Sequence, residues 1–588
     1  MVANHRKQAD ITVNRRTPEE LLCLPEPSSR MPNPQPTGRL ELTWTNKHLR
    51  LLSHEDGSYQ WVDPSDHRVA EVRLLREAAR VRGPEEKAGR NLLVRGDALH
   101  ALQSLSRLPE YASEFVGKVR LVYIDPPFNT QQSFMQYDDA LEHSVWLTMM
   151  RDRLLQTRKL LSETGSVWVH LDDSEMAYCR VLLDEVFGRE NFVAKVIWQK
   201  THTRENRTDI STSHEYIIIM AKNRQVWRKA RNLLPPSDEQ LARYTNPDDD
   251  PRGPWSSMPV HAKAEKGRRA AQFYDIETPA GRTISPPPGN CWRFTKERFE
   301  EMVRDDRIWF GEDGGNVPRL KKFLSEVQVG LVPVTIWPYE EVGTTGEAKG
   351  EIVQLFPDQT PFSTPKPERL MERIIHIATA PGDLVMDFFG GSGTTAAVAH
   401  KMGRRWMTVE RSEDTLSNFT LPRLKKVVRG EDTGGISKAL GWKGGGSFEV
   451  LDVAPSMFEE EEGVVFLARW AAGGELGEAT AAQLGFEFQA DSAPFCGRKG
   501  RCRLAVIDGH VNGEVVELLA SLLGEDETMV VCGTSLDPNA RASLPSGCEI
   551  KKIPNVILDE YRKRYRVRRR RQLGLRSTQD TPELKTPA

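Results

Sequence analysis

The chain has 588 residues, too many for one hydrophobic core and enough for roughly three or four domains at ~150 residues each. Hydrophobic residues at 38% support globular cores, and no run reaches the ~18 apolar residues of a membrane span. A net charge of -2 excludes a bulk polycation but leaves room for a local basic surface that binds phosphate.

Residues 1–88, rich in proline and charge, read as an irregular N-terminal extension with one small hairpin in "LELTWTNKHLRLLSHEDGSYQWVD". The first twenty residues hold no apolar signal-peptide core. Across 89–222, apolar runs alternate with helical periodicity. "NLLVRGDALHALQSL" predicts a strand, a turn at Gly96 and Asp97, and an amphipathic helix. "VRLVYI" predicts a buried strand ending at Ile124. "VWLTMMRDRLLQTRKLL" places Trp146, Met150, Leu154 and Leu161 on one helical face, with Gly165 ending the helix. "SVWVHL" is a strand, "DDSEMAYCRVLLDEVFG" a helix stopped by Gly188, and "AKVIWQ" and "EYIIIMA" two further strands.

Residues 223–360 break this pattern with turn-rich stretches that mix Trp, Arg and Lys, as expected of an inserted module. The alternation resumes across 361–430: a helix, a strand ending at Asp387, a Gly-rich turn, a helix, and a strand ending at Glu410. Residues 431–588 form a C-terminal α+β region, with strands at "RLAVIDG", "TMVVCG" and "EIKKIP" and a helix at "GEVVELLASLLG". The run "YRKRYRVRRRR" reads as a solvated tail or a phosphate-binding arm. Seven cysteines are scattered without a CxxC pair, and the spacing of Cys496 and Cys502 fits no zinc knuckle. A reduced cytoplasmic protein without a metal is expected. The alternation argues for an α/β fold, a mainly parallel sheet with helices on both faces.

Two stretches carry chemistry. In "DFFGGSGTTAAVAH", Gly390, Gly391 and Gly393 let the backbone approach a ligand, and Thr394 and Thr395 open a helix. Glu410 ends the next strand, where an acid can accept from ribose hydroxyls. By itself this turn also satisfies G-x-G-x-x-A, which leaves a nicotinamide or flavin enzyme open. "VYIDPPFNT" is more particular. Asp125 would sit at the carboxyl edge of a sheet, and Pro126 and Pro127 end the strand rigidly. An exocyclic amine of adenine or cytosine is a poor nucleophile because its lone pair is delocalised into the ring. A carboxylate and a neighbouring carbonyl that accept its two hydrogens favour the lone pair on nitrogen. Asp125 and the Pro126 carbonyl supply that pair, and Phe128 a face for a base taken out of the helix. His170, Asp172 and Asp173 lie at another strand's carboxyl edge, either shaping the base pocket or capping the next helix.

"DPPF" followed much later by "DFFGGSGTT" resembles the S-adenosylmethionine-dependent amino-methyltransferases that act on DNA, in the permuted order of their beta class. "NPDDDPRGPW", "SPPPGNCWRF", "GNVPRLKKFLSEV" and "FSTPKPERL" resemble the modification subunits of type III restriction systems, and the resemblance covers roughly residues 89 to 450. It implies a Rossmann-like methyltransferase fold with a target-recognition domain at 223–360, catalytic and cofactor-binding parts at 89–222 and 361–430, and S-adenosyl-L-methionine as cofactor. The aspartate-initiated motif points to adenine N6. Asp125, Pro126, Pro127 and Phe128 match the catalytic motif. Asp387, Gly390, Gly391, Gly393 and Thr394 match the turn around the methionine part, and Glu410 the ribose acid. Thr364 and Lys366 match the segment closing on the methionine carboxylate, and Asp97 an acceptor for the cofactor's adenine. The departures are mild: Gly391 stands where many relatives carry Ala, and the long N-terminal extension is less usual. Double-stranded DNA as substrate, a homodimer, and an ATP-dependent restriction subunit or other defence-system partner are implied likewise. Arg252, Trp255, Arg268, Arg269, Arg319, Lys321 and Lys322 are candidates for reading DNA. Alternatives are a cytosine-N4 or RNA amino-methyltransferase, a dinucleotide-dependent oxidoreductase, and a non-catalytic DNA-specificity subunit.

Overall fold

A computed structural model describes residues 41–53, 58–84, 90–129, 142–236, 238–264, 269–326, 330–472 and 475–572. The chain divides between Leu42 and Thr43, and the unit from Thr43 onward carries every element below. No described helix is long and apolar enough to cross a membrane.

Ten strands build the central sheet: β1 (Leu75–Arg82), β2 (Leu92–Arg95), β3 (Val119–Ile124), β4 (Leu161–Leu171), β5 (Phe192–Gln199), β6 (His214–Ala221), β7 (Ile336–Trp337), β8 (Leu384–Asp387), β9 (Arg405–Glu410) and β10 (Ser447–Val453). Their order is β7-β5-β6-β4-β3-β8-β9-β2-β10-β1. Only β6 and β1 run against the others. Every residue of β3 and β8 is buried, as a parallel sheet covered on both faces requires. Helices α1 (Ala98–Arg107), α2 (His143–Leu160), α3 (Met176–Phe187), α4 (Glu368–Ala378), α5 (Thr394–Lys401) and α6 (Leu421–Arg429) connect or cover these strands. The sheet is thus the mainly parallel α/β core read from the apolar runs.

Two local expectations need correction. The helix α2 ends at Leu160, and Gly165 lies inside β4 rather than at a helix stop. A Cβ on Gly165 would come 2.7 Å from the Val119 carbonyl oxygen, so the neighbouring strand demands the glycine. The extension does contain the expected hairpin, with Leu51 opposite Trp61, but it also supplies β1 to the edge of the main sheet. Most residues of β1 are exposed, so no apolar alternation announced it.

Within 223–360, strands Trp255–Pro259, Ile308–Trp309 and Arg319–Phe323 form an antiparallel sheet. Val260, Ile276, Trp292, Phe299 and Phe310 pack into a core distinct from the main one. By contrast, β7 joins the central sheet beside β5, with Trp337 in the main core. In the C-terminal region, Cys502–Val511, Thr528–Leu536 and Glu549–Lys552 pair in parallel around a third core. The basic run lies in a helix, Asn555–Gln572, and buried Tyr561 donates to Gln483 Oε1 at 2.6 Å.

β3 and β8 are parallel neighbours whose chains leave in opposite directions, toward β4 through α2 and toward β9 through α5. Their carboxyl ends therefore flank a crevice at the point where the strand order reverses, the usual place for a ligand in an open α/β sheet.

Candidate active site

A cavity of about 1320 Å³ occupies this crevice and is lined by every expected site residue except Gly393. Asp125 follows β3 and Asp387 ends β8, so the strand pairing brings together two motifs far apart in the chain.

On the β3 side the Asp-Pro-Pro-Phe turn is held from three directions. Trp146 Nε1 donates to the Pro127 carbonyl at 2.6 Å. Asn129, in the left-handed region at φ 62°, donates to Glu175 Oε1 at 2.7 Å. Phe128 stacks on the His170 ring at 6.1 Å and 23°. That imidazole is wholly buried, with Tyr123 Oη 2.8 Å from Nδ1 and Glu215 Oε2 2.8 Å from Nε2. Burial, aided by the Lys366 charge, holds His170 below its ordinary pKa despite Glu215. Asp172 accepts from its own turn, at Ser174 N, while Glu175 stands at the N-terminus of α3, so neither Asp172 nor Asp173 caps that helix. Of that trio Asp172 lines the cavity, and His170 stands behind the Phe128 ring.

Asp125 Oδ2 accepts from Lys366 Nζ at 2.6 Å, and Oδ1 is buried without a hydrogen-bond partner among the described residues. Lys366, the residue expected to face the methionine carboxylate of a cofactor, lines the cavity with its ammonium against Asp125, 5.1 Å from the centre of the Phe128 ring and 4.0 Å from Glu215 Oε2. The side chain is 7% exposed, so the ammonium takes the anions within reach. Burial alone would raise the Glu215 carboxyl, but Lys366, His170 and Lys200 outweigh it and keep Glu215 ionised well below the usual range.

On the β8 side, a Cβ on Gly390 would meet Thr408 Oγ1 at 2.7 Å and the Val409 carbonyl at 3.0 Å. The turn can therefore lie flat on β9 only with glycine there. Gly393, at φ 75°, opens α5. Asp387 accepts from Phe389 N at 3.0 Å and Thr395 Oγ1 at 2.7 Å. Burial pushes its carboxyl up to about 7; the two hydrogen bonds oppose the rise, and the Asp125 and Glu410 charges add to it. Glu410, also raised by burial, accepts from Gly391 N at 2.8 Å and Ser412 N at 2.7 Å. Asp97 caps α1 through Leu99 N and pairs with Arg153 at 2.9 Å. Each of these carboxylates keeps lone pairs beyond those the protein uses. Thr364 lines the cavity. The Thr394 hydroxyl turns away into a buried ionic cluster, accepting from Arg423 at 2.7 Å, and Arg423 also binds Glu368 at 2.8 Å. Thr395 is the threonine that reaches a site acid, although of the two helix-opening threonines it was Thr394 that matched the cofactor turn.

Three of the candidate DNA-reading residues are structural. Trp255 is buried, and Arg252 is tied to Asp250 at 2.7 Å while lying over Phe323 at 4.4 Å. Lys321, 2% exposed, has Asp248, Asp250 and Asp306 at 2.5, 3.1 and 2.9 Å. These acids could together hold a cation, and the lysine ammonium already fills that place. Arg269, Arg319 and Lys322 are exposed, with Arg319 donating to Ser257 Oγ at 2.9 Å. Arg268 lies outside the described residues.

A family model described as DNA methylase matches residues 119–420, over half of the chain. The Mod subunit of the StyLTI type III restriction-modification enzyme of Salmonella typhimurium is 31% identical over 376 residues, 58% of this chain and 55% of that one. The EcoP15I Mod subunit of Escherichia coli is 26% identical over 441 residues, covering 62% of this chain and 66% of its own length. The chain thus spans little more than half the length of the first of these relatives. Among solved structures, PvuII DNA methyltransferase (cytosine-N4-specific) aligns with 62% of this chain and 97% of its own, at 15% identity and a TM-score of 0.31. The family match runs through both turns and through the two adjacent strands that carry them, and on that ground the chain belongs to the DNA methylase family.

Proposed function

We propose that this chain transfers a methyl group from S-adenosylmethionine to the N6 amine of an adenine swung out of double-stranded DNA. The observation that carries this reading is Asp125 Oδ1, a buried acceptor without a described partner at the mouth of the crevice, beside the Phe128 face. The donor set fits the cofactor. Gly390 supplies close backbone approach, Gly393 a helix opening, Glu410 a two-oxygen acid at a strand end, and Asp97 an acceptor in the lining of the same cavity. Bound there, the cofactor supplies an electrophilic methyl group on a positively charged sulfur.

The protein's part is to present the amine. Asp125 Oδ1 and the Pro126 carbonyl accept its two hydrogens, which keeps the nitrogen lone pair out of the ring. Phe128 stacks on the base, and His170 behind it fixes the ring plane. Asp125 then takes the proton that the methylated amine sheds. The inserted module within residues 223–360, with its own small core, is the natural reader of DNA sequence, because the pocket itself sees only the flipped base.

The type III Mod relatives support a place as the modification subunit of a restriction-modification system; a homodimer, an ATP-dependent restriction partner and a cytoplasmic place in phage defence are parts of the proposal that rest on the family resemblance alone. The test is methyl transfer from tritiated S-adenosylmethionine to DNA. Wild type is expected to label DNA, and Asp125→Ala to lose more than about 99% of that activity while still binding the cofactor in calorimetry. An Asp125→Ala chain retaining more than a few per cent of activity would remove Asp125 from this role.

A further inference from the structure

Lys366 poses a chemical problem if Asp125 receives the target amine, and the inference here rests on that reading. An ammonium 2.6 Å from Asp125 Oδ2 competes for the carboxylate and opposes the positive charge that grows on the nitrogen as the methyl group arrives. At 7% exposure the ammonium stays where anions are within reach. Glu215 is a second anion near it. Its Oε2 is 4.0 Å from Lys366 Nζ, so roughly 1 Å of travel makes a full charge-assisted hydrogen bond. Glu215 itself is held still: Lys200 Nζ lies 2.9 Å from Oε1, and His170 Nε2 lies 2.8 Å from Oε2.

We propose that Glu215 is a positioning residue, the second counter-ion that takes Lys366 over when Asp125 turns to the target amine. Through the same carboxylate it fixes His170, and through His170 the plane of Phe128. Glu215 never touches the reacting atoms. It sets when Asp125 is available and where the stacking face lies.

The experiment is methyl transfer to DNA by the full chain, at saturating cofactor, for wild type, Glu215→Gln, Glu215→Asp and the double variant Glu215→Gln/Lys366→Met. Glu215→Gln keeps the shape and loses the charge, leaving Lys366 on Asp125. Its kcat should fall on the order of tenfold to a hundredfold, with the cofactor KM within about threefold of wild type. Glu215→Asp should recover part of the loss. The double variant should be faster than Glu215→Gln, because removing the lysine frees Asp125; a merely structural role for Glu215 would make it slower. If Glu215→Gln does not fold, Glu215→Asp carries the test, with a loss in kcat and none in cofactor KM. A Glu215→Gln chain as fast as wild type, or a double variant no faster than the single one, would overturn the inference alone. The same holds if Lys366 is drawn off by the cofactor's carboxylate, since kcat would then not depend on Glu215. A wild-type chain that methylates no DNA would overturn the underlying reading and the inference with it.

Discussion

Three carboxylates, Asp125, Asp387 and Glu410, line one crevice, and burial raises the carboxyls of Asp387 and Glu410. Asp387 has the clearest consequence for pH. Its folded pKa near 7 stands above the ordinary 3.8, so the folded chain keeps a proton that the unfolded chain has shed. Stability should therefore decline as pH climbs from about 4 to about 7 and level off above. Asp387→Asn removes that burden. Without cofactor, its melting temperature should match wild type near pH 4, exceed it increasingly up to pH 7, and hold the gain at pH 8. A difference independent of pH would show that Asp387 is not the group responsible. The same substitution should weaken S-adenosylmethionine binding, so the charge is retained against stability at the point of use.

At the scale of elements, the Gly-rich turn and its strand are one object. Gly390→Ala places a methyl group 2.7 Å from Thr408 Oγ1 and 3.0 Å from the Val409 carbonyl, and neither β9 nor the turn can yield without moving the other. Cofactor affinity in calorimetry should drop about tenfold or more, and an affinity equal to wild type would mean the turn is looser than described. Lys321 makes the matching case outside the crevice. Lys321→Met removes the cation that Asp248, Asp250 and Asp306 share and leaves Asp250 to Arg252 alone, at a cost of about 3 kcal/mol. The loss should appear as faster hydrogen exchange across Trp255–Pro259 and Arg319–Phe323, with the central sheet unchanged. Uniform exchange across both bodies would contradict the separate core.

These cases also mark what could be read from the residues. β3 and β8 were legible because both faces are covered, so their sequences are continuously apolar and end in conspicuous turns. The residues within each motif were legible because their chemistry is local. Gly165 and β1 were not, since one answers to a strand 46 positions away and the other to an edge that buries little. Lys366 on Asp125, 241 positions apart, and Glu215 behind both belong to the same class: no spacing announces a tertiary neighbour. The alternation of buried positions in β6 could have flagged Glu215 as a buried acid, but not its partners.

For the whole molecule, the division of labour between the crevice and the inserted module before β7 is the consequence to test. That body has its own core, while β7 belongs to the central sheet, so an exchange with a relative should keep residues 330 onward. Such a chimaera should methylate the relative's recognition sequence at an unchanged rate of transfer. Retention of the original site would move recognition to the C-terminal region or to a partner subunit. The central claim, an adenine N6 methyltransferase acting at one DNA sequence through Asp125, is tested most directly by long-read sequencing of DNA from cells expressing wild type or Asp125→Ala. N6-methyladenine is expected in a single short sequence context with wild type and none with the variant. Modified cytosine, no modified base with wild type, or adenine methylation that survives Asp125→Ala would contradict it.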